Sequence, residues 1–495
     1  MVVVVFDTAK VEYNFYSAKK NLIFFNFDGK IISFFLCEVK KRVFKGFGIG
    51  FAKQNKIATF VIAIELKPEK RQTMSIKLRL IIMNFLQFGV WGAYLTSMGS
   101  YLATTNMASY IGLFYAMQGV VSLFMPAVVG IIADRWVPAQ RMLGVCHLLA
   151  AMFMGGAGYY ALQAGEGGGV WPLFILYTLS VAFYMPTIAL SYSVAYSVLE
   201  SRGEDTVAAF PPIRVWGTVG FICSMLACDF AGFQHNAMQF VQSAALSLIL
   251  GLYCFSLPNC PISPTADKKG FAEALGLRAF ALFKQRRMAL FFIFSMLLGV
   301  SLQITNGFAN PFISAFKDIP EYATSFGANH ANALISLSQI SETLCILLIP
   351  FFLKRFGIKY VMLIAMVAWV LRFALFGLGN PGEGVWMFIL SMIVYGIAFD
   401  FFNISGSLYV NEQTDDSIRS SAQGLFMIMT NGIGATIGTL AAQGVVNRFV
   451  YSQSDGIAQI EGWQTSWLIF AAYALVVAVL FAILFKRKYA QVKTS

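Results

Sequence analysis

The feature that most constrains this chain is a succession of apolar stretches, each about as long as a bilayer is thick. A helix needs about 20 mainly apolar residues to cross the hydrocarbon core, and a helix satisfies its own backbone groups there without water. From Leu80 onward such stretches run near residues 80–102, 109–133, 141–163, 170–197, 213–232, 238–257, 288–311, 330–353, 359–379, 385–410, 418–444 and 464–485. The expected fold is an all-α membrane protein with twelve transmembrane helices. Composition agrees: 12% of residues are charged and 58% hydrophobic, where a soluble chain carries about 25% charged residues. Pro126, Pro186, Pro311 and Pro350 fall inside these stretches, which membrane helices tolerate where neighbours take up the freed backbone groups.

The net charge of +12 divides unevenly. Residues 1–73 hold 13 basic and 6 acidic side chains, whereas residues 74–495 hold 23 and 18. This balance reads as membrane topology rather than nucleic-acid binding. Residues 1–73 contain no span and no signal peptide. They are expected to be a translated upstream extension preceding a natural start at Met74, or else a basic arm on the membrane surface. Alternate connections are rich in Lys and Arg, among them Lys77, Arg135, Arg202, Arg287, Lys354, Arg419 and Lys486, while the opposite set holds Lys317 and Arg448. Basic loops face the cytoplasm, so both termini are expected inside.

The basic connection 258–287 divides the spans six and six, giving halves 74–257 and 288–495. The second span ends Gly130-Ile-Ile-Ala-Asp-Arg135, and the eighth ends Pro350-Phe-Phe-Leu-Lys-Arg355. Similar turns at the same place in two halves are expected of alternating-access carriers.

Polar side chains inside the spans carry the functional signal. Arg214, Thr218 and Phe221 share a helix face, as do Gln303 with Asn306, Gln339 with Glu342, and Tyr395 with Phe399 and Asn403. A charge at membrane depth costs at least about 2.5 kcal/mol and usually faces a bundle interior or a wet pathway. The alternative is that such groups only bond one another between helices, the preferred reading for Thr218 or Asn403 taken singly. Together these faces offer amides, a carboxylate, a guanidinium and aromatic rings, which suits a planar, polyhydroxylated, uncharged solute.

Asp400 and Arg372 complete the intramembrane charges. On a helical wheel Asp400 points about 100° away from Phe399, so it is expected off the cavity face, as a coupling group. Helix depth suggests that Arg372 neutralises Glu342, and that Asp400 meets Arg355 or Arg419. A carboxylate in such a place suits proton coupling, because its affinity for a proton follows the charges around it.

Several motifs then become familiar. Phe210-Pro-Pro-Ile-Arg-Val-Trp-Gly-Thr218, Leu302-Gln-Ile-Thr-Asn306, Ser338-Gln-Ile-Ser-Glu-Thr-Leu344, Tyr395-Gly-Ile-Ala-Phe-Asp-Phe-Phe-Asn403 and Asn84-Phe-Leu-Gln-Phe-Gly-Val-Trp-Gly92 resemble those of bacterial nucleoside permeases. These belong to the nucleoside:proton symporter family of the major facilitator superfamily. The resemblance covers about residues 74–490. It implies a multi-pass inner-membrane protein, working as a monomer, that takes up nucleosides such as uridine and adenosine with protons. It further implies nucleoside contacts by Arg214, Thr218, Phe221, Gln303, Asn306, Gln339, Glu342, Tyr395 and Phe399, with Asp400 in proton coupling or the conformational cycle. Glu342 and Arg372 join Asp400 as candidate coupling residues from the argument on charge.

A facilitator-type carrier of xanthosine or a sugar is the competing reading. An enzyme is not expected: His147, His235 and His330 are scattered without metal spacing, and no cofactor is implied. The cysteines read as small buried apolar residues rather than disulfides or metal ligands. Partners are therefore nucleosides, protons and the lipid bilayer.

Overall fold

A computed structural model describes residues 68–261, 277–415 and 418–485. The expectations for residues 1–67 and for most of the central connection fall outside these. Lys70–Ser495 forms one unit, and every long element among its described residues is a helix.

In the first half, α1 (Pro68–Gly92) and α2 (Met98–Thr104) are followed by α3 (Ile111–Ser122) and α4 (Met125–Arg135), then α5 (Ala139–Ala164), α6 (Val170–Glu200), α7 (Thr206–Phe230) and α8 (Met238–Cys254). In the second half come α9 (Arg286–Ala315), α10 (Ala331–Leu378), α11 (Val385–Gln413), α12 (Arg419–Met427), a π-helical segment Ile428–Gly434, α13 (Ala435–Phe449) and α14 (Gly456–Leu484). Helix α1 begins at Pro68, upstream of Met74.

Eight helices among the described residues are long and apolar enough to cross a membrane, or nine if the bent pair α3–α4 is one span. That bend of 40° sits just before Pro126, whose ring removes a backbone donor and interrupts the ladder. Helix α10 is counted as one element but breaks at Gly357, where φ is 73° and ψ 167°. Glycine adopts that left-handed φ without a Cβ clash. The chain reverses there: Arg372 donates to Ser338 Oγ at 3.4 Å, whereas a straight helix would hold residues 34 apart at about 51 Å. Residues 331–356 and 358–378 are thus two arms, matching the eighth and ninth apolar stretches.

Many large apolar side chains lie outside rather than inside. Trp171, Ile175, Leu252, Leu347, Phe351, Leu475 and Val479 are exposed, which is costly in water and favourable against lipid tails. Where helices meet, small residues let backbones approach. A Cβ on Gly220 would lie 2.0 Å from the Phe85 carbonyl oxygen, and one on Gly299 would lie 2.2 Å from that of Thr430. These close approaches fasten α7 to α1, and α9 to the π segment. Gly307, beside Asn306, is taken up in the same way: Gly99 would meet its carbonyl at 2.3 Å, and the Tyr115 ring lies 3.3 Å from its own Cβ position.

Candidate substrate and proton site

Helix α7 contributes from the first half. Arg214 donates from Nε to the Tyr192 hydroxyl at 2.7 Å, and its guanidinium lies 3.9 Å above the centre of the Phe88 ring. Gly217 makes room for this arrangement, since a Cβ there would stand 2.6 Å from Phe88. Phe221 is buried and meets Trp91 edge-on at 6.3 Å. Thr218 is half-buried on the same helix.

Helix α9 contributes an amide pair. Asn306 donates from Nδ2 to Gln303 Oε1 at 2.5 Å. Gln303 Nε2 in turn lies 3.5 Å from Oε1 of Gln118, on α3 of the other half.

Helices α10 and α11 contribute the acids and the aromatic pair. They pack tightly because a Cβ on Gly396 would lie 2.6 Å from the Ser341 backbone, and because the Ser341 hydroxyl donates to the Ile393 carbonyl. This sets the turn of α11 that carries Tyr395 against the Ser341–Cys345 turn of α10, on which Glu342 lies. The two rings stack with centres 5.7 Å apart and planes 3° from parallel, and Trp369 meets Tyr395 edge-on at 6.0 Å. Gln339 interacts with the Tyr395 hydroxyl.

The charges pair differently from the sequence expectation. Arg372 forms no ion pair with Glu342. Its guanidinium donates to the Ser391 carbonyl at 2.7 Å and lies 4.5 Å from the centre of the Tyr395 ring. The guanidinium is thus held by a carbonyl, a hydroxyl and an aromatic face, while its Nε has no hydrogen-bond partner among the described residues. Asp400 is buried, and its Oδ2 has no hydrogen-bond partner among the described residues. Counted from Ala331 and Val385, Glu342 and Asp400 lie about 17 and 22 Å along neighbouring helices at 1.5 Å per residue, nearly level. Asp400 therefore belongs to the same charged cluster, although on its own helix it points away from Phe399.

Asn403 bonds back to the Phe399 carbonyl at 3.1 Å. With Phe399 it lines a small void bounded also by Leu302, Trp369, Phe402 and Thr430.

A second polar cluster, not anticipated from the sequence, ties the two halves together at the end of the bundle opposite the basic connections. Asp229, in the last turn of α7, accepts the Ala333 N–H at 2.8 Å, with His330 Nδ1 at 3.0 Å and Gln234 Nε2 at 3.1 Å. An anion is unfavourable at the C-terminus of its own helix and favourable at the N-terminus of another. Asp229 gains the second environment by capping α10. Around it Thr96 donates to Asn332 at 2.9 Å, Asn310 to Asn332 at 2.7 Å, and Ser100 to Asn310. The one available signal was an acid in the final turn of an apolar helix.

Comparison with known proteins shows the family. The family model described as Nucleoside H+ symporter matches residues 74–490. The chain is 46% identical to nucleoside permease NupG of Escherichia coli (strain K12) over 425 residues, covering 85% of this chain and 99% of that protein. It is 47% identical to xanthosine permease of the same organism over 416 residues, covering 83% and 96%. The crystal structure of nucleoside transporter NupG superposes with a TM-score of 0.76 at 46% identity, covering 83% of this chain and 100% of that one. That of D-xylose-proton symporter, 14% identical over 84% of this chain and 98% of that one, shares the fold with a TM-score of 0.59. The chain has the major facilitator fold and belongs to the nucleoside H+ symporter family.

Proposed function

We propose that this protein carries nucleosides into a bacterial cell together with protons, by alternating access across the inner membrane. The observation that carries the proposal is the placement of two acids, Glu342 and Asp400, at membrane depth on the packed helices α10 and α11 of one half, with Arg214 on α7 of the other. As the halves rock, the distance to Arg214 changes, and so does the affinity of the acids for a proton. Proton loading is thereby tied to the direction in which the cavity opens.

In this reading Arg214, Thr218, Phe221, Gln303, Asn306, Gln339, Glu342, Tyr395 and Phe399 contact the nucleoside. The stacked pair Tyr395 and Phe399 offers an aromatic face to the base, and the amides and Glu342 bond its edge and the ribose hydroxyls. Asp400 and Glu342 handle the proton. Arg372 holds Tyr395 rather than the acids. The carrier is a monomer of twelve spans in halves 74–257 and 288–495, with both termini in the cytoplasm. The Asp229 cluster closes the outer end in the conformation described.

Competition for labelled uridine uptake by adenosine, xanthosine, xylose and maltose tests the substrate class. Inhibition by the nucleosides and none by the sugars is expected. Inhibition by sugars alone would move the site to the sugar carriers, and inhibition by xanthosine alone would narrow it to that nucleoside.

A further inference from the structure

Two aromatic residues outside the polar faces hold Arg214. Phe88, on α1, is buried, and the guanidinium carbon lies 3.9 Å above its ring centre. Tyr192, on α6, is half-buried, and its hydroxyl accepts from Arg214 Nε at 2.7 Å. Tyr192 is itself braced by Phe210, whose ring meets it edge-on at 5.3 Å. Gly217 leaves the space for this arrangement, since a Cβ there would stand 2.6 Å from the Phe88 ring and 2.9 Å from Arg214 Nη1. Phe88 lies in the Asn84–Gly92 motif, which supplies none of the nucleoside contacts.

The sense of the Tyr192 bond is not open to reversal. A guanidinium carries donors and no acceptor, so the Tyr192 oxygen accepts whatever the direction of its own proton. The ring contact also has one sense, because a cation is drawn to the electron-rich face of an aromatic ring. With Nε engaged and one face covered, the terminal nitrogens remain. Neither has a hydrogen bond among the described residues, and neither is fully buried. They are the donors left for a solute.

We infer that Phe88 and Tyr192 are positioning residues that hold the Arg214 guanidinium in advance, with its two terminal nitrogens presented together to the nucleoside. The inference rests on the reading of Arg214 as a nucleoside contact. A free arginine gives up rotamer freedom when it binds, and that loss weakens binding. A guanidinium already held at Nε and on one face gives up less. The effect belongs to binding, so it falls on KM rather than kcat.

Labelled uridine uptake into proteoliposomes gives KM and kcat for the full chain and its variants. Tyr192→Phe removes one oxygen. It is expected to raise KM by roughly 3- to 10-fold with kcat little changed, the scale of one side chain immobilised on binding. Phenylalanines with successive ring fluorines at position 88 keep the shape and draw charge from the face, and KM is expected to climb with each fluorine. Arg214→Lys supplies the control, because lysine has neither Nε nor a planar fork. Added to Arg214→Lys, Tyr192→Phe is expected to change KM by less than about 2-fold, since both changes then remove one interaction. A flat KM across the fluorine series would overturn the inference for Phe88. For Tyr192, an unchanged KM, or the same loss in the arginine and lysine backgrounds, would overturn it, since a packing role acts alike in both. Should Arg214→Lys not transport, the fluorine series and Tyr192→Phe decide alone. An Arg214→Lys protein with the unmodified KM would instead overturn the reading of Arg214 as a nucleoside contact.

Discussion

Glu342 and Asp400 stand nearly level on the packed helices α10 and α11, and Arg214 stands on α7 of the opposite half. The three groups make the centre of the bundle a place where one proton changes the balance of charge between the halves. Neutral isosteres of the two acids separate their roles. Asp400→Asn is expected to abolish proton-driven accumulation while nucleoside binding stays measurable, because Asp400 carries no substrate contact in this account. Glu342→Gln is expected to lose both. Binding by scintillation proximity beside uptake in proteoliposomes checks this, and loss of binding in Asp400→Asn would return that residue to the substrate cavity.

Arg372 supports Tyr395 from beneath, with its guanidinium 4.5 Å from the ring centre and one donor on the Ser391 carbonyl. A desolvated cation–π contact is worth about 2 kcal/mol. Arg372→Met is therefore expected to raise KM for nucleosides by roughly 10-fold or more with little change in proton dependence. Arg372→Lys, which lacks the planar fork, is expected to recover only part of this. An effect confined to the pH profile would assign Arg372 to the acids instead.

The cap of α10 by Asp229 closes the end of the bundle away from the basic loops. Removing a charge-assisted hydrogen bond costs about 1.5–3 kcal/mol. Asp229→Ala is expected to shift the population toward opening at that end by at least about 10-fold. Spin-label distances between the ends of α2 and α10 read this directly. An unchanged distance distribution would mean that the surrounding amides hold the end closed without Asp229.

Backbone contact at the glycines predicts a contrast within one residue type. Gly299→Ala would force a Cβ to within 2.2 Å of the Thr430 carbonyl oxygen, whereas Gly130 has no neighbour within 4 Å of such an atom. Gly299→Ala is expected to lower the melting temperature of the detergent-purified protein and slow transport. Gly130→Ala is expected to leave the melting temperature unchanged.

The spans and their polar faces were legible in the sequence because both depend on local periodicity. Apolar length marks a span, and spacings of three and four residues mark a face, so Gln303 with Asn306, and Tyr395 with Phe399, could be grouped without knowing any neighbour. What depended on neighbours was not legible. A wheel gave the direction of Asp400 relative to Phe399, but not that Glu342 stood on the helix it faced. An arginine between spans suggests a carboxylate partner, yet a carbonyl at the matching height and an aromatic ring hold Arg372. Asp229 looked like an acid at a helix end because its role lies at the start of a helix about a hundred residues away. Gln118 sits singly in an apolar run, and only a contact across the halves, with Gln303, links it to the site.

The central claim is that nucleoside movement through this bundle is tied to a proton held among Glu342, Asp400 and Arg214. Labelled uridine uptake into proteoliposomes, with and without an imposed inward proton gradient, tests it most directly. Accumulation above equilibrium that requires the gradient, and that disappears in Glu342→Gln, is the predicted result. Uptake of uridine by folded protein at the same rate and to the same level whether or not the gradient is present would contradict it.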